Sequence, residues 1–423
     1  MHVPCNSQAA VPGFQSVLQY SPSRRPRVYA ESMMELDREI QFEPGCAEEF
    51  FESVPARPAV VVIKPREELK GARALLLRTA DLRRRMRLLL SEPEPNSKRL
   101  NLRQYAAAIR FRVTASKFEQ ALMHWQQARI LWPTNYRQRL RLHLPAFVKL
   151  NLTNAYPRAY ITRRLAPSGL YMGPFVTRRA AENFLEPWLD LFRIRRCQIK
   201  IRRDPQFPGC IYSEMKMCLA PCFGGCTAEE YGGEVTRAAA FLRSRGASLA
   251  DSLTQERESA STQLDFEHAS ALHKRLEKVQ ELRRSLPELA RPIEQLDAVI
   301  LARAAAENAI AVFTVRGGEI ADPFVLQFDQ LAGQPRSAEQ IIRELLEPAA
   351  TQPDEANPNR PSFDTAPIQQ LEDHLALLAR WFYGSPREGE IFFQEPRPTG
   401  WPYRRILRAC RRLLSPQSNE KPD

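Results

Sequence analysis

The sequence contains no run of apolar residues long enough to span a bilayer, so we predict no membrane-spanning segment. Residues 1–32 also lack the charged and then apolar layout of a secretory signal. We therefore expect a cytoplasmic protein with no membrane partner. Tyrosine is missing between Tyr29 and Tyr105, a gap that removes a common catalytic side chain from this stretch.

Positive charge is in excess. Lys and Arg number 61 against 49 Asp and Glu, which gives a formal net charge of +12. The arginines cluster in three places, at 83–87, 137–141 and 193–203. A planar guanidinium can donate two parallel hydrogen bonds to a phosphate, so a polyanion such as nucleic acid is a natural partner. A basic surface that serves only solubility is the alternative, and charge alone does not choose between them.

Five of the eight cysteines lie within thirty residues: Cys197, Cys210, Cys218, Cys222 and Cys226. In a cytosolic protein such a cluster favours metal binding over disulfides. Structural zinc sites usually draw their ligands from two short knuckles, and only Cys218 and Cys222 form one here. Four thiolates can also hold an iron–sulfur cluster, which needs no knuckles. Both interpretations stay open at this point.

The apolar periodicity divides the chain into segments of different type. Strands are predicted at 59–63 and 73–78, and Asp81 can cap a following helix. A helix is predicted from Ser116 to Trp132, and paired strands over 145–165. Further predictions are a helix over 177–192, helices over 228–290 with a break near Gly246, and a hairpin that turns at Gly317 and Gly318.

A set of short motifs surrounds the cysteines: Gly173-Pro174-Phe175, the run from Leu191 to Cys197, Cys210, Cys218-Leu219-Ala220-Pro221-Cys222, and Glu230-Tyr231. In this order they resemble the central region of the UvrC family of bacterial nucleotide excision repair. The resemblance implies that Cys197, Cys210, Cys218 and Cys222 bind a [4Fe-4S] cluster. Cys226 has no counterpart in the family.

The segment after the cysteines resembles the UVR motif, a helical hairpin through which UvrC binds a UvrB-type partner. The motif reads Leu-Asp-Phe-Glu-x-Ala-x-x-Leu from Leu264. The resemblance implies five partner-binding residues: Leu264, Phe266, Ala269, Leu272 and Leu276. An amphipathic helix that only packs in a core would give the same apolar stripe. The motif also occurs in proteostasis adaptors, so it does not by itself indicate repair.

The first module resembles a GIY-YIG nuclease that has lost its catalytic residues. Val61 and Leu75 align with the two tyrosines, and Trp125 aligns with the glutamate that binds the metal. Only the arginine persists, as Arg85. Because a lone arginine cannot hold a cation, we predict a nuclease fold without activity.

Residues 296–328 resemble the segment that follows the UVR hairpin in UvrC, where the family continues into an RNase H-like nuclease. The residues up to Asp423 are too few for that domain, and Asp364, Glu372 and Asp373 lie too near a Pro-rich loop to form its carboxylate triad. A small α+β remnant is therefore expected.

The predicted fold class is a multidomain α+β protein. Its segments are a weakly ordered lead-in (1–50), a degenerate GIY-YIG-like α/β module (51–165), the iron–sulfur region (166–230), the UVR hairpin (231–292), a strand-rich remnant (293–348), a linker (349–367) and C-terminal helices (368–423).

These features predict a UvrC-like repair protein that binds DNA and a UvrB-type protein without cutting DNA. Contact with DNA is expected from Arg83, Arg85, Arg195 and Arg196. Two alternatives stay open. One is an active repair endonuclease like Cho, the shorter UvrC homologue, with relocated ligands. The other is a proteostasis adaptor, which predicts zinc rather than iron.

Overall fold

The structure is a computed structural model that describes residues 35–93, 98–331, 337–347, 368–395 and 400–415. It is an α+β protein with three antiparallel sheets, as the sequence predicts for the class. No helix in these ranges combines the length and the apolar character needed to cross a bilayer. The linker predicted at 349–367 lies outside the described residues.

The first sheet has the strand order β1-β4-β2-β3. Its module consists of β1 (Arg38–Gln41), α1 (Ala47–Ser53), β2 (Ala59–Pro65), β3 (Leu75–Thr79), α2 (Leu82–Leu90), β4 (Ala106–Val113), α3 (Lys117–Leu131) and α4 (Tyr136–Arg139). Asp81 caps α2 by accepting from the Arg84 amide, and Ser116 caps α3 by accepting from the Glu119 amide. These caps satisfy orphan amides at the helix starts and confirm the predicted boundaries.

The prediction that residues 1–50 form a weakly ordered lead-in is wrong for residues 35–50. Residues 1–34 lie outside the described residues, but β1 pairs with β4. Phe42, Phe50 and Phe51 are buried against one face of the first sheet. These aromatic side chains bury enough apolar surface to order the segment, although its periodicity is too weak to reveal this.

The second sheet has the order β6-β5-β7-β8 and precedes a set of helices. The elements are β5 (Ala146–Leu150), β6 (Ala159–Thr162), β7 (Leu170–Phe175), α5 (Arg178–Asp190), α6 (Ile211–Glu214), α7 (Ala228–Arg243), α8 (Ala247–Thr262), α9 (Phe266–Ser285) and β8 (Arg291–Pro292). The paired strands predicted at 145–165 are confirmed as β5 and β6. They belong to this sheet, so the first module ends before them and not at residue 165.

The third sheet has the order β11-β10-β9-β13, with β12 also paired to β10. Its elements are β9 (Ala298–Arg303), β10 (Ala309–Arg316), β11 (Glu319–Ile320), β12 (Phe324–Gln327), α10 (Phe328–Leu331), α11 (Ala338–Leu346), α12 (Ile368–Phe382), β13 (Glu390–Phe393) and α13 (Tyr403–Leu414). The hairpin predicted at Gly317 and Gly318 is confirmed. Since β13 pairs with β9, residues 368–415 complete this sheet and are not a separate set of helices.

A shared core joins the first and third sheets. The rings of Phe118 on α3 and Phe313 on β10 lie 5.0 Å apart in an edge-to-face arrangement. Val60 on β2 and Leu375 on α12 belong to the same buried cluster. Helix α12 therefore lies against α3, and this contact sets the surroundings of the aligned catalytic positions.

Candidate functional site

The cysteine loop spans the chain between α5 and α7. Two backbone hydrogen bonds join the start of the loop to its end. The Leu219 amide donates to the Arg193 carbonyl at 3.0 Å, and the Asp204 amide donates to the Cys222 carbonyl at 2.8 Å. Thr227 then caps α7 in a reciprocal pair with Glu230. The loop is thus closed by backbone bonds rather than by a large apolar core.

The loop brings four of its thiols into one neighbourhood. Burial is the main cause that raises the pKa of the Cys218 thiol to about 11; the Ala220 amide opposes it, and charge on Cys197, Cys222 and Cys210 adds to it. Seven cysteines of the described residues are free thiols. In these ranges no three Cys, His, Asp or Glu side chains are already arranged around a metal position. The thiols thus lie near enough to influence one another's charge, but they are not arranged as a finished ligand set.

The loop turns sharply at Ala220, whose φ is +54°. This left-handed conformation is uncommon for a residue with a Cβ. It directs the Ala220 amide to the Cys218 sulfur at 3.3 Å and starts the short helical turn that contains Cys222. A thiolate gains from such an amide donor, because the bond favours the charged form.

Arg195 holds the loop from inside and is only 6% exposed. Its guanidinium donates to the carbonyls of Tyr156 and Ile199, both at 2.8 Å, and one of its nitrogens lies 3.9 Å from the Cys197 sulfur. The Tyr231 hydroxyl accepts from the Arg195 amide at 3.0 Å. A side chain enclosed in this way cannot reach a DNA backbone, so the expectation that Arg195 contacts DNA does not fit its surroundings.

Two other arginines expected at DNA are also engaged within the protein. Arg83 donates to the carbonyls of Val54 and Glu52, which ties α2 to the end of α1. Arg196 forms an ion pair with Asp190 at 2.8 Å. Arg85 lies half-buried on α2. Of the four arginines predicted to contact DNA, Arg85 has the surroundings most compatible with binding a phosphate.

The helical hairpin after the loop is formed by α8 and α9. Leu264 turns the chain with a φ of +62°, and Asp265 caps α9 by accepting from the His268 amide at 3.1 Å. At this tip Leu264 is 72% exposed and Phe266 is 65% exposed. Two large apolar side chains in water at one turn are unusual for a core element and suit a docking contact.

The remaining predicted partner residues do not share that exposure. Leu272 and Leu276 are buried in the core that α9 forms with its neighbours, and Ala269 packs against its edge. Leu272 and Leu276 therefore stabilise the hairpin itself. The apolar stripe in the sequence does not distinguish core residues from docking residues, because both recur with the same helical period.

The positions aligned with nuclease catalysts lie in apolar surroundings. Val61 is fully buried, and Leu75 packs against the same core cluster. Trp125 is buried on α3, and its indole nitrogen donates to the Asp373 carboxylate at 3.0 Å. In the GIY-YIG resemblance, position 125 corresponds to the metal-binding glutamate. In this chain it holds a tryptophan that donates a hydrogen bond within a closed core.

Asp373 is the centre of a buried polar network that the sequence did not reveal. It accepts from the Tyr136 hydroxyl at 2.5 Å and from Arg137 Nε at 2.6 Å, while Arg137 also pairs with Glu372 at 3.0 Å. Both carboxylates lie within α12, and Asp373 has no exposed surface. Both carboxylates hold α12 against α4 through these bonds. Their placement agrees with the expectation that they are not part of a catalytic triad.

Comparison with known proteins identifies the middle of the chain. A family model described as "UvrC/Cho excinuclease, middle domain" matches residues 147–241, which include the whole cysteine loop. The UvrABC system protein C of Ruminiclostridium cellulolyticum is 31% identical over 180 residues, or 42% of this chain and 29% of that relative. That of Methanothermobacter thermautotrophicus is 28% identical over 282 residues, or 65% of this chain and 46% of the relative.

These matches leave part of each curated relative uncovered, since the chain spans less than half of their length. No solved structure matches the chain significantly. The family match covers the region whose cysteines and flanking motifs carry the resemblance. Over this middle region the chain is homologous to the UvrC family.

Proposed function

We propose that this chain is a nucleotide excision repair protein that binds DNA and a UvrB-type partner, and that its first module does not cleave DNA. The buried Trp125 carries the proposal, because its bond to Asp373 fills the position aligned with the metal-binding glutamate. Phosphodiester cleavage needs charge neutralisation and a positioned nucleophile. The module offers Arg85 for the first task, but neither aligned position, Val61 or Leu75, provides a tyrosine for the second.

The neighbouring carboxylate does not replace the missing ligand. Asp373 is inaccessible to solvent, and Trp125, Tyr136 and Arg137 already donate to it. A divalent cation needs open carboxylate lone pairs, and these are engaged by donors. This arrangement counts against an active endonuclease with a relocated ligand at this position.

We further propose that Cys197, Cys210, Cys218 and Cys222 hold a [4Fe-4S] cluster. Four converging thiols are a suitable donor set, and the Arg195 guanidinium and the Ala220 amide lie against two of the sulfurs. When bound, the cluster supplies iron–thiolate bonds that tie four distant points of the loop together. The residues around it hold the loop ends in place, so that cluster binding and local folding are coupled.

Partner binding is assigned to the tip of the hairpin. Leu264 and Phe266 provide exposed apolar surface there, on a helical pair that the buried leucines keep rigid. A preformed apolar tip can enter a groove of a UvrB-type protein without a large ordering cost.

The test uses the anaerobically purified chain with UV-damaged plasmid, a UvrB protein, ATP and Mg²⁺ or Mn²⁺. We expect DNA binding without nicking, together with iron and sulfide in the protein. Nicking that disappears in Arg85→Ala would overturn the non-catalytic assignment. Stoichiometric zinc without sulfide would instead support an adaptor and overturn the cluster.

A further inference from the structure

An open cavity of about 800 Å³ lies at the base of the helical hairpin, where α7 and α9 end and β8 begins. Arginines contribute much of its lining, and one carboxylate, Glu395, lies among them. The five arginines, called the arginine pocket below, are Arg243, Arg245, Arg283, Arg284 and Arg291. These five arginines belong to none of the three arginine clusters of the sequence. They come from three separate segments of the chain that the fold brings together.

The charge of the arginine pocket is only partly compensated within the described residues, where Glu288 favours the charged forms of Arg245 and Arg291 and Glu395 favours that of Arg291. None of its arginines forms an ion pair with a carboxylate there; Arg245, Arg284 and Arg291 donate instead to neutral backbone carbonyls. Burial, and then the neighbouring Arg245, lowers the pKa of Arg291 to about 10. Burial likewise lowers the pKa of Arg245, with Arg283 adding to the effect. An anion in the pocket would favour the charged forms of both guanidinium groups, against the cost of their burial.

A structural role accounts for only part of this arrangement. Cations at helix C-termini interact favourably with the helix dipole, and α7 and α9 both end here. The Arg291 guanidinium also stacks 4.3 Å from the Phe393 ring centre. However, the dipole effect is at most a few tenths of a charge at each end, and five guanidinium groups exceed it.

The lining also indicates which part of a ligand is recognised. Besides the arginines, the lining includes Gln280 and Gln295, whose side-chain amides can donate hydrogen bonds to phosphate, whereas the Ser244 hydroxyl already donates to the Ala240 carbonyl. No aromatic side chain lines the cavity, so no stacking surface is offered to a base. The chemistry therefore suits phosphates, and several of them side by side rather than one.

We propose that the arginine pocket binds adjacent phosphates of a nucleic-acid backbone, independently of base sequence. The inference rests on the proposed DNA binding and gives it a location. Nucleic acid would then cross the base of the hairpin and leave the exposed tip with Leu264 and Phe266 free for a protein partner. One chain could hold both at once.

The test compares two double variants that remove equal charge. Arg243→Gln/Arg284→Gln changes two exposed members of the pocket, whereas Arg178→Gln/Arg179→Gln changes two exposed arginines at the start of α5. Binding of a fluorescent duplex is measured by anisotropy across a range of salt. Loss of two phosphate contacts flattens the log–log salt slope by about 1.8, at about 0.9 per contact. The α5 variant should keep the slope of the unchanged protein, and thermal melts should show both variants folded.

Each other outcome overturns the inference in a recognisable way. If both variants change the salt slope equally, DNA binding depends on the overall positive charge and not on the arginine pocket. The inference then fails, while the proposed DNA binding stands. If the pocket variant loses affinity for ATP or inorganic triphosphate but binds DNA normally, the pocket is a free polyphosphate site. If the unchanged chain does not bind DNA at low salt, the inference and the proposed DNA binding fail together.

Discussion

The indole nitrogen of Trp125 donates a 3.0 Å hydrogen bond to Asp373, which lies 248 residues further along the chain. This bond joins α3 of the first module to α12 beside the third sheet. It gives the tryptophan a structural role at the aligned catalytic position, because a buried indole N–H needs a partner. Restoring a glutamate at 125 would place a second carboxylate against Asp373 in a closed core.

Removing the charge of Asp373 should destabilise the protein. Asp373→Asn keeps the size of the side chain but leaves Arg137 with Glu372 alone. We expect a loss of about 3–5 kcal/mol in the free energy of unfolding, the usual effect of breaking a buried pair. Urea unfolding followed by fluorescence measures it. The matched control Glu182→Gln breaks an exposed pair on α5 and should cost under about 0.5 kcal/mol. Equal effects would show that the buried network is unimportant.

The cysteines should separate into four ligands and one bystander. Replacing Cys197, Cys210, Cys218 or Cys222 singly by Ser should abolish bound iron and sulfide. Cys226→Ala should keep both, since Cys226 packs in the apolar core beside the loop. Iron and sulfide analysis of anaerobically purified protein decides the matter. Full iron content in any one of the four Ser variants would remove that residue from the ligand set.

The hairpin should respond differently at its tip and in its middle. Leu264→Ser and Phe266→Ser should weaken binding to a UvrB-type protein and leave the melting temperature unchanged, because both side chains already face water. Leu276→Ala should lower stability by about 2–5 kcal/mol through the cavity that it leaves. Calorimetric titration and thermal melts distinguish the two effects. Unaltered partner affinity in Phe266→Ser would locate the docking surface elsewhere.

Two arginines expected at DNA should behave differently. Arg195→Gln should loosen the cysteine loop, because Tyr156 and Ile199 lose their donor, and bound iron should fall during purification. Arg85→Gln should leave iron content unchanged and weaken DNA binding slightly. Iron analysis and anisotropy on the same preparations compare them. Full iron retention in Arg195→Gln would show that the loop holds without this side chain.

Acid should destabilise the contact between α3 and α12. Burial, and then Arg78 and Arg380, lowers the pKa of His124 to about 4, and burial with Arg129 lowers that of His374 to about 3. Because both folded values lie below the ordinary 6.5, the unfolded chain takes up protons first as the pH falls. Stability is then complete above pH 6.5 and declines by about 1.4 kcal/mol per unit for each histidine below it.

His374→Gln tests this dependence, since a Gln side chain can accept the bond that the Ile320 amide donates to His374. Urea unfolding at pH 7 and pH 5.5 should show a smaller difference in the variant than in the unchanged protein. The comparison cancels groups that both proteins share, including buried Glu119, whose pKa burial raises. An identical pH dependence in both proteins would contradict the assignment.

The sequence by itself determined the features that depend on neighbours in the chain. The cap at Asp81, the helix from Ser116, the break near Gly246 and the turn at Gly317 all follow from local backbone preferences, and the structure confirms them. The motifs around the cysteines likewise carried the family, because they are ordered along one segment that the family comparison also matches.

Only the tertiary structure decided which side chains are available for function. It enclosed Arg195 within the cysteine loop and buried Leu276 in the hairpin, while it left Phe266 exposed. It also joined Trp125 to Asp373 and assembled the arginine pocket from three separate segments. Burial and charge compensation depend on residues far away in sequence, and neither periodicity nor composition records those distances.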